Sequence, residues 1–422
     1  MTIRVREEVS LKELTTLKIG GKARFFCSAS TEEELKQAFL FAEKKRLPIV
    51  VLGGGSNVLI SDDTIEALVV KIEMQGVTWK EEKSSIPPFA AKWGTPPLTK
   101  EESDSPFSKG STPTGGKDFV LVTAGAGESW DALVAKSVMR GLWGIENLSG
   151  IPGTVGAAPI QNIGAYGTEV KEVIEWVEVL DTKVGTVQKL SPTECLFEYR
   201  DSIFKQPKGK HFIVSRVALR LRKEGTPNLE YKDLKNYFTS SFSPSLEGEI
   251  KEGVHPTSIL PSKEGRKKPT LTEIREAVLA IRAGKFPDLN THGTAGSFFK
   301  NPVISKEKFD ELKKKYPDLP GFPCTRFDLG SRTRSNLVKV SLAWILDKIC
   351  NLEGYRKGNV ALFERQPIVL VQNGAASSEE IHAFAKEVIR QVQEKTGIEV
   401  EWEVAFIGDK SHPARDAGSI HP

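Results

Sequence analysis

One long loop limits what this chain can fold into more than any other feature. Residues 148–167, LSGIPGTVGAAPIQNIGAYG, contain five glycines and follow neither the helical nor the strand period of apolar residues. Glycine adopts backbone conformations that other residues avoid, and it lets a backbone approach a ligand closely. Such a loop between ordered elements is more typical of a ligand-binding segment than of a simple connection. The segment therefore predicts a fold that wraps backbone around a ligand.

Two further glycine-rich turns occur in the first half of the chain. Residues 52–60, LGGGSNVLI, follow one predicted strand, and residues 125–127, GAG, follow another. Taken alone, GGGSN fits either a phosphate-binding loop, with Ser56 and Asn57 as side-chain donors, or an ordinary tight turn. It matches neither GxGxxG nor GxxxxGK[ST], so a Rossmann or P-loop fold is not supported. The three glycine-rich surfaces together favour an extended cofactor with a pyrophosphate, bound mostly through backbone groups.

Composition excludes several classes of protein. Of the 422 residues, 39% are apolar and 27% are charged, and the formal net charge of +4 is too small to indicate nucleic acid or a membrane surface as a partner. No apolar run approaches the roughly 20 residues that span a bilayer, and the N-terminus lacks the apolar segment of a signal peptide. The cysteines and histidines are scattered, so we expect reduced thiols and no bound metal. We expect a cytoplasmic protein; the sequence leaves the oligomeric state open and favours a monomer.

The spacing of apolar residues predicts helices and strands in mixed order. The predicted helices cover residues 31–46, 127–141, 271–282 and 377–395, and the predicted strands cover 48–52, 67–72, 119–127, 173–181 and 211–222. This mixture favours an α+β fold over a doubly wound sheet. Residues 81–118 and 239–269 show no sustained period and are predicted to be irregular surface insertions.

A series of motifs along the chain gives the sequence a recognisable signature. In order, they are LTTLKIGGKARFF, GGGSNVLI, LSGIPGTVGAAPIQNIGAYG, YRDSIFK and GSFFKNP. In this order they closely resemble the UDP-N-acetylenolpyruvoylglucosamine reductase family, in its longer type I form. The similarity runs from about Leu14 to Gly408 and is interrupted by the two irregular segments. The third and fourth motifs are long and specific, whereas GGGSN alone is not.

The resemblance implies a fold and a reaction. The fold would be an FAD-binding module of the vanillyl-alcohol-oxidase type, with subdomains over residues 1–72 and 73–222, followed by an α+β substrate-binding domain over 223–422. The reaction would be the reduction of UDP-N-acetylglucosamine enolpyruvate to UDP-N-acetylmuramate in peptidoglycan precursor synthesis. FAD would be the cofactor, and NADPH and the UDP-sugar would be the small-molecule partners. Two alternatives stay open: a flavin oxidase of the same fold that acts on another small molecule, and a catalytically silent UDP-sugar-binding protein.

The resemblance also assigns catalytic roles to three residues. Arg200 lies in YRDSIFK, Ser297 in GSFFKNP and Glu403 in EWEVAFIG. When hydride reaches the β-carbon of the enolpyruvyl ether, negative charge develops toward the substrate carboxylate, where Arg200 and a protonated Glu403 would stabilise it. Ser297 would then donate a proton to the α-carbon. Glu401, two residues before Glu403, is an alternative for the same carboxylate role.

Each of these three residues also has a plainer interpretation. Arg200 beside Asp201 fits a surface ion pair, which is the commoner fate of such a dipeptide. Glu403 fits a solvent-facing position on an alternating strand, and Ser297 fits the polar start of a buried aromatic strand. The residues alone favour these readings, and the resemblance reverses the preference.

The remaining site residues come from the glycine motifs and from the resemblance. We expect the FAD contacts to be Gly53, Gly54, Gly55, Ser56, Asn57, Gly125, Gly153, Gly156, Gln161, Asn162, Gly164 and Arg282. We expect the substrate contacts to be Tyr231, Lys285, Asn301 and Gln366, with Lys285 and Asn301 facing the diphosphate and Tyr231 closing over it. For Lys285 and Arg282 the alternative is a solvated helix end that is stabilised by the helix dipole.

Overall fold

The computed structural model of the chain describes residues 3–82, 118–240, 268–324 and 336–408. Most of the two predicted insertions, 81–118 and 239–269, lies outside these ranges. At their starts the prediction was wrong by two residues, because residues 81–82 end a strand and residues 239–240 end a helix. Backbone hydrogen bonds to a neighbouring strand hold residues 81–82 in place, and polar side chains do not prevent such pairing.

Strands and helices alternate irregularly along the chain, as the sequence predicts. The strands are β1 (Arg6–Ser10), β2 (Lys22–Ala29), β3 (Ile49–Leu52), β4 (Val58–Ile60), β5 (Ile65–Ile72), β6 (Val77–Glu82), β7 (Phe119–Gly125), β8 (Gly164–Ala165), β9 (Thr168–Glu169), β10 (Ile174–Asp181), β11 (Thr186–Leu190), β12 (Phe212–Arg222), β13 (Gly293–Ser297), β14 (Val303–Ser305), β15 (Gly321–Pro323), β16 (Leu337–Val340), β17 (Arg356–Lys357), β18 (Val360–Phe363), β19 (Gln366–Gln372) and β20 (Ala405–Ile407). The helices are α1 (Glu32–Lys45), α2 (Trp130–Met139), α3 (Lys232–Ser240), α4 (Leu271–Lys285), α5 (Lys306–Lys315), α6 (Leu342–Trp344) and α7 (Ser378–Thr396). Each predicted helix and strand is present with slightly different ends.

The helices begin and end where local side-chain chemistry dictates. The Thr31 hydroxyl accepts the Glu34 N–H at the start of α1, and reciprocal capping boxes begin α4 and α7. Gly397 ends α7 in the left-handed region at φ 71°. The apolar face of α7 is buried in the C-terminal core, which explains why a helix with so many charged residues is stable there.

Three larger sheets organise the described residues. The first has the order β1-β2-β5-β3, and the second has the antiparallel order β11-β10-β12-β7-β6. These two sheets share one core with α1 and α2. The third sheet, β13-β19-β18-β17, lies in a separate core with α7. Within the described ranges, no helix is long and apolar enough to span a membrane.

A short parallel pair joins the beginning of the chain to its end. Strand β20 pairs with β4, so that Ala405 lies opposite Val58. The Ala405 N–H also donates to the carbonyl of Asn57 at 3.1 Å. Because β4 follows the GGGSN turn directly, this pairing brings the C-terminal carboxylates next to the first glycine-rich loop. Residues more than 300 positions apart thereby form one site.

Candidate active site

A cavity of about 550 Å³ lies between the glycine-rich loops and the start of β12. Residues 52–57 form one wall and residues 151–161 supply another. The volume is in the range of small-molecule binding sites. Glu403 also lines the cavity, as do two cations that follow YRDSIF, Lys205 and Lys210.

Close contact between the two loops explains several of the glycines. A Cβ on Gly54 would come within 2.8 Å of the Cα of Gly153, and a Cβ on Gly55 would lie 2.0 Å from the carbonyl oxygen of Leu14. Gly55 is also in the left-handed region, at φ 62°. The glycines therefore let the two loops pack together while both still face the cavity.

Polar side chains tie the cavity walls to one another. The Asn57 amide donates to Gln161 Oε1 at 2.5 Å and to the Glu403 carbonyl at 3.2 Å. In contrast, the buried hydroxyl of Thr154 lines the cavity and has no hydrogen-bond partner among the described residues. A buried polar atom without a partner is uncommon in a folded protein, so this hydroxyl is a candidate donor to a ligand.

A tight turn positions Arg200 beside Glu403, which lines the cavity. Glu198 and Asp201 exchange backbone hydrogen bonds around it, and Arg200 itself is in the left-handed region at φ 54°. Its guanidinium donates to the Gly164 carbonyl at 2.7 Å, and its Nε lies 3.1 Å from Glu403 Oε1. This turn aims the side chain inward, away from the surface ion pair with Asp201 that the dipeptide also fits.

The charge on Arg200 is stabilised by its surroundings. Burial opposes the charged form, but the carboxylate of Glu403 and the neighbouring Tyr199 and Glu169 outweigh burial and raise the pKa of Arg200. Lys205 donates from Nζ to the Arg200 carbonyl at 3.2 Å. Burial, followed by the repulsion of Lys300, lowers the pKa of Lys205. The site therefore concentrates positive charge at one end of the cavity.

Ser297 is connected to Glu403 through the backbone of the segment that follows it. The Glu403 N–H donates to the Phe298 carbonyl at 2.9 Å, and Phe299 forms an antiparallel bridge with Trp402. Ser297 thus precedes a segment that is hydrogen-bonded to the Glu403 backbone. Arg200 and Glu403, from separate parts of the sequence, meet here, whereas Ser297 is connected to them only through the backbone of the next residue, and neither Arg200 nor Ser297 is among the residues that line the cavity.

The two candidate carboxylates differ in environment. The Glu401 side chain is 72% exposed and pairs with Lys300, whereas the Glu403 side chain is 11% exposed and pairs with Arg200. Glu403 lines the cavity, and Glu401 is not among its lining residues. The geometry therefore favours Glu403 for the carboxylate role.

Comparison with known proteins agrees with this architecture. A model of the C-terminal domain of UDP-N-acetylenolpyruvoylglucosamine reductase matches residues 288–407, and a model of an FAD binding domain matches residues 23–86 and 118–191. The UDP-N-acetylenolpyruvoylglucosamine reductase of Pseudomonas aeruginosa is 34% identical over 401 residues, which are 95% of this chain and 98% of that protein. The chain belongs to the UDP-N-acetylenolpyruvoylglucosamine reductase family.

Other relatives of this reductase family extend the comparison. The protein of the same name from Chromobacterium violaceum is 33% identical over 402 residues, covering 95% of this chain and 98% of that protein. A crystal structure of the reductase from Thermus caldophilus covers 96% of this chain and 100% of that chain, with a TM-score of 0.55 at 24% identity. The predicted family and the predicted α+β fold, with an FAD-binding module and a separate C-terminal domain, are confirmed.

The structure divides the residues that we expected to contact FAD into two groups. Those that line the cavity are Gly53, Gly54, Gly55, Ser56, Asn57, Gly153, Gly156 and Gln161. Outside the lining are Gly125, Asn162, Gly164 and Arg282. Asn162 is fully buried, and its side chain is occupied by Glu169, by the Glu198 carbonyl and by the Lys171 N–H. Arg282 donates to the Gly150 carbonyl at 3.0 Å, which places it behind the loop.

The residues expected to bind the reductase's substrate already have partners within the protein. Lys285 pairs with Asp233 at 2.5 Å, and the Tyr231 ring packs edge-on against Tyr166 at 5.3 Å. Asn301 Oδ1 accepts the Leu342 N–H at 3.0 Å. Gln366 begins β19 opposite Phe363. The contacts among the described residues do not connect these four directly to Arg200, so their substrate role stays a prediction.

Two cavity residues were missed by the sequence reasoning. Thr154 sits inside the long glycine-rich loop, where only the glycines and amides were selected. Lys205 is the last residue of YRDSIFK, and the signal that could have indicated it as a site residue was a lysine that follows two apolar residues. Neither residue type indicates a site by itself, and it is the fold that places both at the cavity.

Proposed function

We propose that this chain reduces UDP-N-acetylglucosamine enolpyruvate to UDP-N-acetylmuramate with NADPH as the reductant and FAD as the cofactor. The observation that carries the proposal is the contact of Arg200 with Glu403, a residue of the cavity wall whose backbone N–H is bonded to the residue that follows Ser297. Family membership over 95% of the chain supports the same reaction. We place this activity in the cytoplasm, where NADPH and nucleotide sugars are supplied.

We also propose domain boundaries after residues 72 and 222. Each boundary falls between the last strand of one large sheet and the first strand of the next.

The residues of the cavity fit a dinucleotide. Backbone groups from two closely packed loops face it, the Thr154 hydroxyl lacks a partner among the described residues, and apolar side chains cover much of the remaining wall. Residues 53–57, Gly153, Thr154 and Gly156 would hold the cofactor, with N–H groups directed at its pyrophosphate. FAD, when bound, carries hydride from NADPH to the substrate. Because the two substrates would share one site, we expect a ping-pong mechanism.

Arg200 and Glu403 would act on the charge that develops in the substrate. Guanidinium donors that are already fixed by Gly164 and Glu403 need little reorganisation when the enolpyruvyl carboxylate gains negative charge. In a buried site this stabilisation is stronger than in water. We propose that a protonated Glu403 donates a second hydrogen bond to the same oxygen atoms.

Ser297 would complete the reaction as a general acid. Its Oγ would give a proton to the α-carbon, where a strongly basic carbanion compensates for the weak acidity of a hydroxyl. The positive ends of Arg200 and Lys205 at this end of the cavity favour the resulting alkoxide. The buried rings of Phe298 and Phe299 follow immediately and anchor the strand that carries the serine.

The remaining substrate residues are proposed to bind the diphosphate and the sugar. Lys285 and Asn301 would exchange their present partners, Asp233 and the Leu342 N–H, for phosphate oxygens. Tyr231 is 43% exposed and is free to cover a bound ligand. Gln366 would contribute an amide from the start of β19.

An anaerobic half-reaction assay tests the proposal. We expect the purified protein to be yellow, to be bleached by NADPH and to recover its absorbance when the enolpyruvyl substrate is added. In Ser297→Ala, bleaching should survive because that step needs no proton from the serine, whereas recovery should slow by about a thousandfold. Ser305→Ala, which removes the hydroxyl that caps α5 in the same domain, should change neither half-reaction.

Several outcomes would contradict the proposal. A colourless protein that takes up no FAD would refute it. Rapid recovery with oxygen and without the enolpyruvyl substrate would favour an oxidase instead. Recovery at the wild-type rate in Ser297→Ala would remove the serine from the chemistry, and tight UDP-sugar binding without any turnover would indicate a silent binding protein.

A further inference from the structure

Strand β13, which ends at Ser297, does not pair regularly with β19. Gly293 lies opposite Gln372 and Thr294 opposite Val371, but the next pair joins Ser297 to Val369. Three steps on β13 therefore correspond to two on β19. This is a β-bulge, in which one extra residue is inserted into one strand of an antiparallel pair. The extra residue falls at Ala295 or Gly296.

The bulge decides which face of β13 carries Ser297. Side chains alternate between faces along a strand, so a regular β13 would place Ala295 and Ser297 on the same face. Ala295 is buried in the C-terminal core, whereas Ser297 is only half-buried. The extra residue reverses the alternation before Ser297. Without it, Ser297 would share the face of Ala295 and point into the core.

Two residues build the bulge. Gly296 has φ 75°, and a Cβ at this position would meet no atom within 4 Å. The glycine is therefore needed for its backbone conformation and not for space. The Thr294 hydroxyl donates to the Leu370 carbonyl at 2.7 Å and accepts the Gly296 N–H at 3.2 Å.

The Thr294 side chain thus makes two buried hydrogen bonds that span the bulge. It is 4% exposed, so its hydrogen bonds are not exchanged with water. One of these bonds reaches the neighbouring strand and the other reaches the residue that turns the chain. The side chain at position 294 must both donate and accept a hydrogen bond, because the Leu370 carbonyl is an acceptor and the Gly296 N–H is a donor.

We propose that Thr294 is a positioning residue for the proton donor: its hydroxyl holds the bulge that keeps Ser297 out of the core and directed to the site. The inference rests on the proposed function, since Thr294 acts on the reaction only through Ser297. It assigns to a buried threonine that is not among the predicted site residues a specific effect on one half-reaction.

Three variants test this role in the FAD-loaded enzyme. Thr294→Val keeps the shape of the side chain and removes both hydrogen bonds, whereas Thr294→Ser keeps the hydroxyl. Thr396→Val is the matched control, because Thr396 is also 4% exposed, lies in the same domain, donates to the Val392 carbonyl at 2.7 Å and accepts the Ile398 N–H at 3.1 Å. Both valine variants lose one donated and one accepted bond, so similar decreases in melting temperature are expected.

The half-reactions should separate the variants. In Thr294→Val, recovery of the flavin absorbance with the enolpyruvyl substrate should slow by about a hundredfold, since misplacement by about 1 Å has such an effect. Bleaching by NADPH should keep the wild-type rate. Thr294→Ser should recover within about threefold of wild type, and Thr396→Val should match wild type in both half-reactions. Wild-type recovery in Thr294→Val, an equal loss in Thr294→Ser, or an equal loss in Thr396→Val would overturn the inference.

Crystal structures provide a readout that is independent of turnover. In Thr294→Val we expect the Ser297 Oγ to be displaced from its wild-type position, and in Thr396→Val we expect it to stay. An unchanged Ser297 in Thr294→Val would overturn the inference. Failure of the proposed function would look different, because wild-type enzyme bleached by NADPH would then not recover with the substrate, and the position of Ser297 would still decide the role of Thr294.

Discussion

Two arginine–carboxylate pairs of similar chemistry lie in different regions of the molecule. Arg275 on α4 meets Asp131 on α2 through two hydrogen bonds of 2.6 and 2.8 Å, and Asp131 also accepts the Gly150 N–H at 2.6 Å. This pair is bidentate, and the glycine-rich loop completes it. It fixes two helices and one peptide group relative to each other.

The pair of Arg200 and Glu403 is less complete. The closest approach to the carboxylate is from Nε of Arg200, at 3.1 Å, and this Nε–H makes no well-directed hydrogen bond within the described part of the chain. Glu403 lines the cavity, whereas Arg200, Asp131 and Arg275 do not. Hydrogen-bonding capacity is therefore left over on Arg200, beside a residue of the cavity wall.

The difference shows that a partly buried ion pair does not by itself indicate an active site. Pairs that satisfy each other fully are structural, and removing one partner chiefly affects stability. A pair with an unused donor at a cavity wall retains the capacity to bind a third group. Two pairs of substitutions and one single substitution test this distinction.

The largest effect is expected for Arg200→Lys compared with Arg275→Lys. A lysine at position 200 cannot donate to Gly164 and to a substrate carboxylate with the geometry of a guanidinium, so recovery of the flavin absorbance should slow by about a thousandfold. Arg275→Lys should lower the melting temperature and leave both half-reactions within about twofold of wild type. Stopped-flow absorbance and thermal unfolding measure the two effects. Equal decreases in the rate of flavin recovery in the two variants would contradict the distinction between a structural pair and an active-site pair.

A smaller effect is expected for Glu403→Gln compared with Glu401→Gln. Glutamine keeps a donor at position 403, but an amide N–H is a weaker donor to a developing anion than a carboxylic O–H, so we expect recovery with substrate to slow by about a hundredfold. Glu401 is mostly exposed and pairs with Lys300, so its substitution should change the rate by less than about twofold. The same stopped-flow assay distinguishes them. If the Glu401 variant is the slower one, the carboxylate roles are reversed.

The smallest effect is expected for Asp131→Asn, and it concerns stability. About a third of the Asp131 side chain is open to solvent, so the loss of its charge should cost about 1–2 kcal/mol of unfolding free energy, less than for a fully buried pair. Urea unfolding at neutral pH measures this difference, and NADPH bleaching should stay unchanged.

The stability difference should depend on pH with a defined sign. Burial opposes the charged form, but the hydrogen bonds from Arg275 and Gly150 outweigh it and lower the pKa of Asp131 in the folded protein. A lowered folded pKa stabilises the protein above the unfolded pKa, about 3.9, and this stabilisation is lost as the pH falls through the folded value. The difference in unfolding free energy between wild type and Asp131→Asn should therefore have its full size at pH 7 and decrease below about pH 4. A difference in unfolding free energy that increases as the pH falls would contradict a lowered pKa for Asp131.

Much of the local structure of this protein was predicted from its sequence. Capping residues such as Thr31 and Gly397, and the spacing of apolar residues between them, predicted α1 and α7 because these signals act within a few residues of the chain. The glycine-rich segments predicted the loops that line the cavity. The motifs predicted the family and the reaction that we propose.

Other features required the tertiary structure. The choice between Glu401 and Glu403 depended on which carboxylate lies at the cavity wall, and alternation along a strand treats the two alike. The Asp131–Arg275 pair joins residues 144 positions apart, and neither residue lies in a motif. The partnerless hydroxyl of Thr154 and the cavity lysine Lys205 lie within motifs, but their residue types did not single them out, and the fold places both at the cavity.

The sequence by itself determined which segments form helices, strands and backbone-lined loops, because these depend on local conformational preferences and on the spacing of apolar residues. Only the tertiary structure decided that a bulge directs Ser297 out of the core and that β20 pairs with β4 to bring Glu403 to the cavity. The physical reason is that both arrangements depend on hydrogen bonds between strands that are distant in the chain. A shift of one residue in either pairing would send these side chains to the opposite face.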